Sequence, residues 1–254
     1  MKVFSLDEYI MHHVLNSPEW HLPFLPAIHL PPPLSLHGLM VILGALFLVI
    51  VFCGVYRKDP DIAPTGITNL LETFVIFIRD DIAVHFLGEK DGRKMTPLFC
   101  TFFFFILTLN LMGLIPLFAT ATANINVTGA LALITFGFMI LGGIYKNGPV
   151  GFFKAFIPHG VPALILPIIF LVEFIGIFIK AFALMIRLFA NMLAGHIAIF
   201  ALLGLIVVMG LVALPTMILA LFIFLLEIFV AFLQAYIFTL LSAIFMGQMY
   251  HPEH

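Results

Sequence analysis

Of 254 residues, 63% are hydrophobic and only 9% are charged, against about 25% charged in an ordinary soluble domain. That balance excludes a soluble globular enzyme and a nucleic-acid-binding module, and leaves an all-α integral membrane protein. The formal net charge of -2 says little about partners, because placement of charge carries the signal and the sum hides it.

Residues 1–37 mix charge, histidine and proline and close with HLPFLPAIHLPPPLSLH. They read as an outer-side arm, solvated or interfacial. Four histidines between residues 12 and 29 are irregularly spaced, so neither a metal site nor a cofactor is expected there. Charge and the lack of an apolar centre in residues 1–19 argue against a secretory signal.

Everything from 38 to 250 reads as a single membrane domain. Residues 38–56 are apolar and free of charge, just long enough to cross a hydrocarbon core of about 30 Å. Segment 57–94 holds six of the eleven Lys and Arg residues. Within it Ile67, Leu70, Leu71, Phe74, Val75, Ile78 and Ile82 recur at helical spacing, with Glu72, Arg79 and Asp80 opposite. The pattern predicts an amphipathic interfacial helix over about 66–87. Residues 97–118 and 127–145 are the second and third spans, joined through ATATANINVTG as a hairpin. After a loop with Lys146 and Lys154, the fourth and fifth apolar runs cover 161–208 and 211–250.

A helix over 161–208 would extend about 72 Å, more than twice the hydrocarbon thickness. Pro162, Pro167 and Pro215 fall near the starts of these runs, so neither run divides into two spans. The expectation is two long, steeply tilted helices, with bends allowed at Gly176, Gly195 or Gly204. Cys53 and Cys100 sit far apart in apolar runs and read as small core residues. Basic residues cluster in the two interior loops, which places those loops in the cytoplasm, the N-terminus outside and the C-terminus inside.

Against this apolar background a few polar residues stand out. Glu173, Lys180 and Arg187 are seven apart, which keeps them on one slowly drifting helical stripe. Asn191 extends that stripe and His196 follows. Glu227 and Gln234 repeat the seven-residue spacing on the last helix. A charge at the bilayer centre costs about 2.5–3.5 kcal/mol on insertion scales and more in simulation. The two acids and two bases could simply neutralise one another, but buried pairs commonly fail to recover their desolvation cost. Ionisable residues in spans mark ion paths and proton relays. Glu227 and His196 have the chemistry to exchange protons near neutrality, whereas Arg187 stays cationic. A secondary transporter using the cluster as a substrate site is the rival, although paired broken helices and inverted repeats are missing from the sequence. A plain membrane anchor gives no reason for the buried charges.

MIRLFANMLAGH, NLMGLIPLFATATANINVT and EIFVAFLQAYIFTLLS together resemble subunit a of the F-type ATP synthase, over roughly residues 38–250. The resemblance implies a stator subunit without catalytic activity or cofactor, whose two long tilted helices wrap a rotating ring of c subunits. Other implied partners are the b-subunit peripheral stalk, the remainder of the ATP synthase complex and the lipid bilayer, with no nucleic acid. Two offset aqueous half-channels are implied, with Arg187 separating them and Asn191 beside it on the ring-facing side. His196 and Glu227 become the relay of the inlet half-channel, open to the outer side. Glu173 becomes the candidate for the cytoplasmic outlet, and Gln234 a polar neighbour of the arginine. Lys180 either lines the outlet or snorkels to the interface. Asn110, Asn124 and Asn126 are polar lining.

This chain has its histidine after AG and its acid on the last helix, the reverse of some bacterial members and the arrangement of mitochondrial-type ones. Where some members place an acid after NLM it has Gly113. A bacterial inner membrane is implied, with a mitochondrial inner membrane as the alternative. Sodium in place of the proton stays open, because the selecting carboxylate would belong to the ring. No phosphate-binding loop of the Walker type is present, so ATP chemistry would take place elsewhere.

Overall fold

The computed structural model describes residues 19–20, 28–31, 35–55, 66–115, 118–154, 156, 164–209 and 214–251. His12, His13 and His21, the linker 57–65 and residues 161–163 and 210–213 lie outside them. Among the described residues the fold is all-α apart from a two-residue antiparallel pair, β1 (Glu19–Trp20) with β2 (Ile28–His29). The helices are α1 (Leu36–Ile50), α2 (Ile67–Phe77), α3 (His85–Gly113), α4 (Ile125–Lys154), α5 (Leu166–Met209) and α6 (Leu214–Tyr250). π-helical stretches follow α1 at Val51–Val55 and join α2 to α3 at Ile78–Val84. Five helical segments are long and apolar enough to cross a membrane.

Local chemistry sets where these helices start and stop. The Ser35 side chain accepts a hydrogen bond from the Gly38 amide at 3.2 Å and caps α1, satisfying one of the orphan donors of a first turn. α5 and α6 each carry proline as their second residue, Pro167 and Pro215, where the missing N–H has no helical acceptor to lose. With 44 and 37 residues they extend about 66 and 55 Å, so neither fits upright in a layer of about 30 Å.

The amphipathic segment and the second span meet at Gly88, whose backbone is not helical (φ 78°, ψ 166°); beyond it α3 passes through Pro97 to end at Gly113. Pro97 interrupts the ladder only at the polar N-terminal end of α3, where Thr101 donates back to its carbonyl at 2.7 Å. The apolar stripe is covered only at its far end: α2 has no buried residue, Ile67 and Leu70 being exposed, whereas Ile78 and Ile82 of the π-helical stretch that follows are buried. Cys53 is exposed and free, and Cys100 is half-buried. In a chain whose outer surface is itself apolar, a small apolar side chain has no need to face the core.

The chain divides into two units. One comprises Met1–Gly54, Phe104–Thr128 and Arg187–Ala235. Its packing centres on Leu36, Met40, Leu109, Ala119 and Ala121, with Trp20 and Leu30 of the N-terminal arm packed against them. The other comprises Val55–Phe103, Gly129–Ile186 and Tyr236–His254. Aromatic pairs hold it together, among them Phe102 with Phe238 at 5.5 Å and Phe136 with Phe178 at 5.1 Å. Thr135 and Ser242 share a buried hydroxyl contact at 3.1 Å.

A polar cluster closes one end of this second unit. Asp91 forms an ion pair with Lys146, and His251 approaches the same carboxylate at 3.9 Å while bonding the Leu87 carbonyl at 3.0 Å. Asn147 donates to the Met249 carbonyl at 2.9 Å. Asp91→Ala removes the shared acceptor from a largely buried position and should lower unfolding stability by about 1–2 kcal/mol, measured as a lower melting midpoint in detergent.

Candidate functional site

The first unit contains the buried ionisable pair. His196 lies on α5 and Glu227 on α6, and the ring Nδ1 stands 2.7 Å from Glu227 Oε1. The other ring nitrogen, Nε2, lies 3.1 Å from the main-chain oxygen of Gly113. Both residues are buried, at 6% and 3% exposure. Two features of the sequence permit this contact. Gly113 is the last residue of α3, so its carbonyl lacks an intrahelical donor and is open to a side chain. Gly195 leaves the space that the carboxylate fills, because a Cβ there would lie 2.5 Å from Glu227 Oε1.

Further polar groups continue along α6. Asn110 donates to the Ala231 carbonyl at 3.3 Å, and Asn191 donates to Gln234 Oε1 at 3.3 Å. Glu227 Oε2, Gln234 Nε2, Asn110 Oδ1 and Thr122 Oγ1 are buried without a hydrogen-bond partner. Beside the pair lies a cavity of about 300 Å³, lined by Gly113, Phe118, His196, Phe200, Phe224 and Glu227 among others. Of the residues with unpartnered polar atoms, Glu227 is the one that lines this cavity, and its carboxylate is where an ordered water would find a partner.

Arg187 behaves differently. It is exposed and has neither a hydrogen bond nor an ion pair among the described residues. Nine residues of α-helix turn through 900°, so His196 and Arg187 point to opposite faces of α5. Exposure follows that geometry: Ala190, Asn191 and Ala194 share the open face with Arg187, whereas Leu188, Met192 and His196 are buried. Mutual neutralisation of the acids and bases is therefore not what these helices do. Glu227 takes a histidine, and the arginine takes no acid.

The second unit contains Glu173 and Lys180. Glu173 is exposed and has no partner among the described residues. Lys180 donates to Gln248 at 2.8 Å and lies 5.6 Å from the centroid of the Phe245 ring, a cation–π distance. Asn124 accepts from the Asn126 amide at 2.9 Å and shapes the turn into α4, and the Asn126 side chain is exposed. The sequence reading missed the Gly113 carbonyl and Gln248. A main-chain acceptor leaves no trace in residue type, and Gln248 sits in a polar helix end that reads as interfacial.

Comparison with known proteins places this geometry. Residues 38–247 match the ATP synthase A chain family. The chain belongs to that family. Similar proteins are ATP synthase subunit a of Anaeromyxobacter dehalogenans strain 2CP-C, 50% identical over 83% of this chain and 56% of its own length, and that of Chloroherpeton thalassium, 46% identical over 96% and 77%. The Myxococcus xanthus subunit is 41% identical over 95% and 88%. The chain thus spans little more than half the length of the Anaeromyxobacter relative. Family membership agrees with five apolar helices and an all-α fold.

Gly195→Ala puts a methyl group where the Glu227 carboxylate lies. It should lengthen the 2.7 Å contact and lower stability by about 1–3 kcal/mol through overpacking. A structure of the variant and its melting midpoint check both.

Proposed function

We propose that this chain is the proton-translocating stator subunit of a rotary F-type ATP synthase. It offers two offset half-channels to a ring of c subunits, and is tied to the rest of the complex by a b-subunit stalk. The observation that carries this reading is the pairing of opposites on one helix: a buried, carboxylate-bound His196 and, on the far face, an exposed arginine that no acid among the described residues neutralises. Membership of the ATP synthase A chain family and the names of the relatives support it.

Under this reading protons enter from the outer side and reach the Glu227–His196 pair, beside which the cavity can hold water. They are delivered to a ring carboxylate that has just left Arg187. A neutral carboxyl can face lipid, whereas an ionised one cannot. After nearly a full turn the carboxyl reaches the outlet at Glu173, loses its proton to the cytoplasmic side and is drawn to Arg187. Arginine suits the separating position because it does not deprotonate. Asn191 and Gln234 bridge the edge between the buried pair and the arginine face, and Lys180, held by Gln248, lines the outlet end. Asn110 adds polar surface near the inlet. Each proton crossing a 100 mV potential contributes about 2.3 kcal/mol, so several are combined per ATP. The basic residues of 57–94 and 146–154 put those loops on the cytoplasmic side of a bacterial inner membrane.

Arg187→Ala should reduce ATP synthesis in energised vesicles containing the assembled complex by about a hundredfold or more, with passive proton leak kept or raised. Arg187→Lys should lose most coupling as well, because a point charge lacks the planar fork. Near-normal synthesis in Arg187→Ala, with assembly verified, would refute the separating role.

A further inference from the structure

The contacts of His196 constrain how a proton can move through the buried pair. The Gly113 carbonyl only accepts hydrogen bonds, so the nitrogen 3.1 Å from it, Nε2, carries a hydrogen. At 2.7 Å, Nδ1 and Glu227 Oε1 share a second hydrogen between them. Both ring nitrogens are thereby occupied. The ring is buried and meets Phe200 edge-on at a centroid distance of 6.2 Å, so turning it would break both contacts inside a packed wall.

A histidine that relays a proton takes it on one nitrogen and releases it from the other. Here release from Nε2 leads only into a peptide carbonyl, which is no base. The ring is therefore closed as a through-route. Both residues line the cavity of about 300 Å³, but only Glu227 has a side-chain polar atom without a hydrogen-bond partner, the buried Oε2.

We infer that Glu227 alone exchanges the transported proton, at Oε2, and that His196 is a positioning residue held by the Gly113 carbonyl. The inference rests on the proton-carrying reading above. A hydronium ion arriving along the inlet gives a proton to Oε2 and becomes water, one hydronium O–H bond breaking as the carboxyl O–H bond forms. That bond breaks when the proton passes on to the next acceptor carboxylate, and Glu227 returns to its ionised form. Throughout, His196 keeps Oε1 engaged, which aims Oε2 at the exchange path and biases how tightly the proton is held.

The test is passive proton flux across pH, with ATP synthesis, in vesicles of the assembled complex carrying Glu227→Gln, His196→Gln or His196→Ala. Glu227→Gln should lower flux by about a hundredfold or more. His196→Gln keeps an N–H donor and should stay within about tenfold of wild type, with the pH of half-maximal flux displaced. His196→Ala should lose more than the glutamine variant. Flux in His196→Gln as low as in Glu227→Gln, or an unmoved pH profile, would overturn the positioning role while leaving the stator reading intact. Wild-type flux and synthesis in both Glu227→Gln and Arg187→Ala would instead overturn the stator reading, and this inference with it. Should His196→Gln fail to assemble, 15N NMR of the histidine-labelled wild-type complex decides: Nε2 of the carboxylate-bound histidine carries a hydrogen under the inference, and a bare Nε2 would overturn it.

Discussion

Ionisation inside hydrocarbon is the constraint on which this architecture depends. A buried charge must be matched, solvated or neutralised, and the chain uses a different solution at each position. His196 and Glu227 bury together, with a 2.7 Å contact and the Gly113 carbonyl meeting the polar atoms they lose to water. Lys180 stays half-buried, with an amide oxygen and an aromatic face to hold it. Arg187 receives nothing from the described residues and remains exposed. That leaves room at the exposed face for water and, under the proposed function, for a ring carboxylate that comes and goes.

That division depends on backbone as much as on side chains. Glu227 reaches His196 because residue 195 has no Cβ, and His196 finds an acceptor because α3 stops at Gly113 and leaves that carbonyl without a helical donor. Helix ends inside a membrane are costly unless something takes up the orphan groups. Here a titratable side chain does so. Because a carbonyl only accepts, the contact that completes the end of α3 calls for a hydrogen on the histidine Nε2.

Much of this could be read from residues alone, for a physical reason. In a bilayer every backbone polar group must be satisfied within the segment, so apolar runs become helices with few exceptions. The long apolar stretches therefore gave α5 and α6 directly, and the rarity of charge in them singled out Arg187, Glu227 and His196. What stayed hidden depends on contacts between distant parts of the chain or on glycine backbone. The direction the chain takes at Gly88, where a non-helical backbone parts the amphipathic segment from the second span, leaves no trace in the residues beyond a glycine. Cys53 looks like core because apolar residues of a soluble protein turn inward, a rule that loses force where the surroundings are lipid. The partners of Lys180 and His196, Gln248 and Gly113, lie 68 and 83 residues away.

The half-turn between Arg187 and His196 has a mechanical consequence. With α5 about 10 Å across, side chains included, the acid–histidine pair and the arginine are kept apart by the body of one helix. A proton at the buried pair cannot meet the arginine face directly, and a carboxylate docked on that face cannot touch the histidine. Passage from one side to the other has to go round the helix. The polar groups available for it are those that α6 supplies after Glu227: Gln234, seven residues on, with its Nε2 unpartnered and its Oε1 bound to Asn191 at the edge of the open face. Under the proposed function, the separating cation needs no wall of its own, because the helix that bears it is the wall. The seven-residue step from Glu227 to Gln234 and the four-residue step from Arg187 to Asn191 converge because both follow the same helical period.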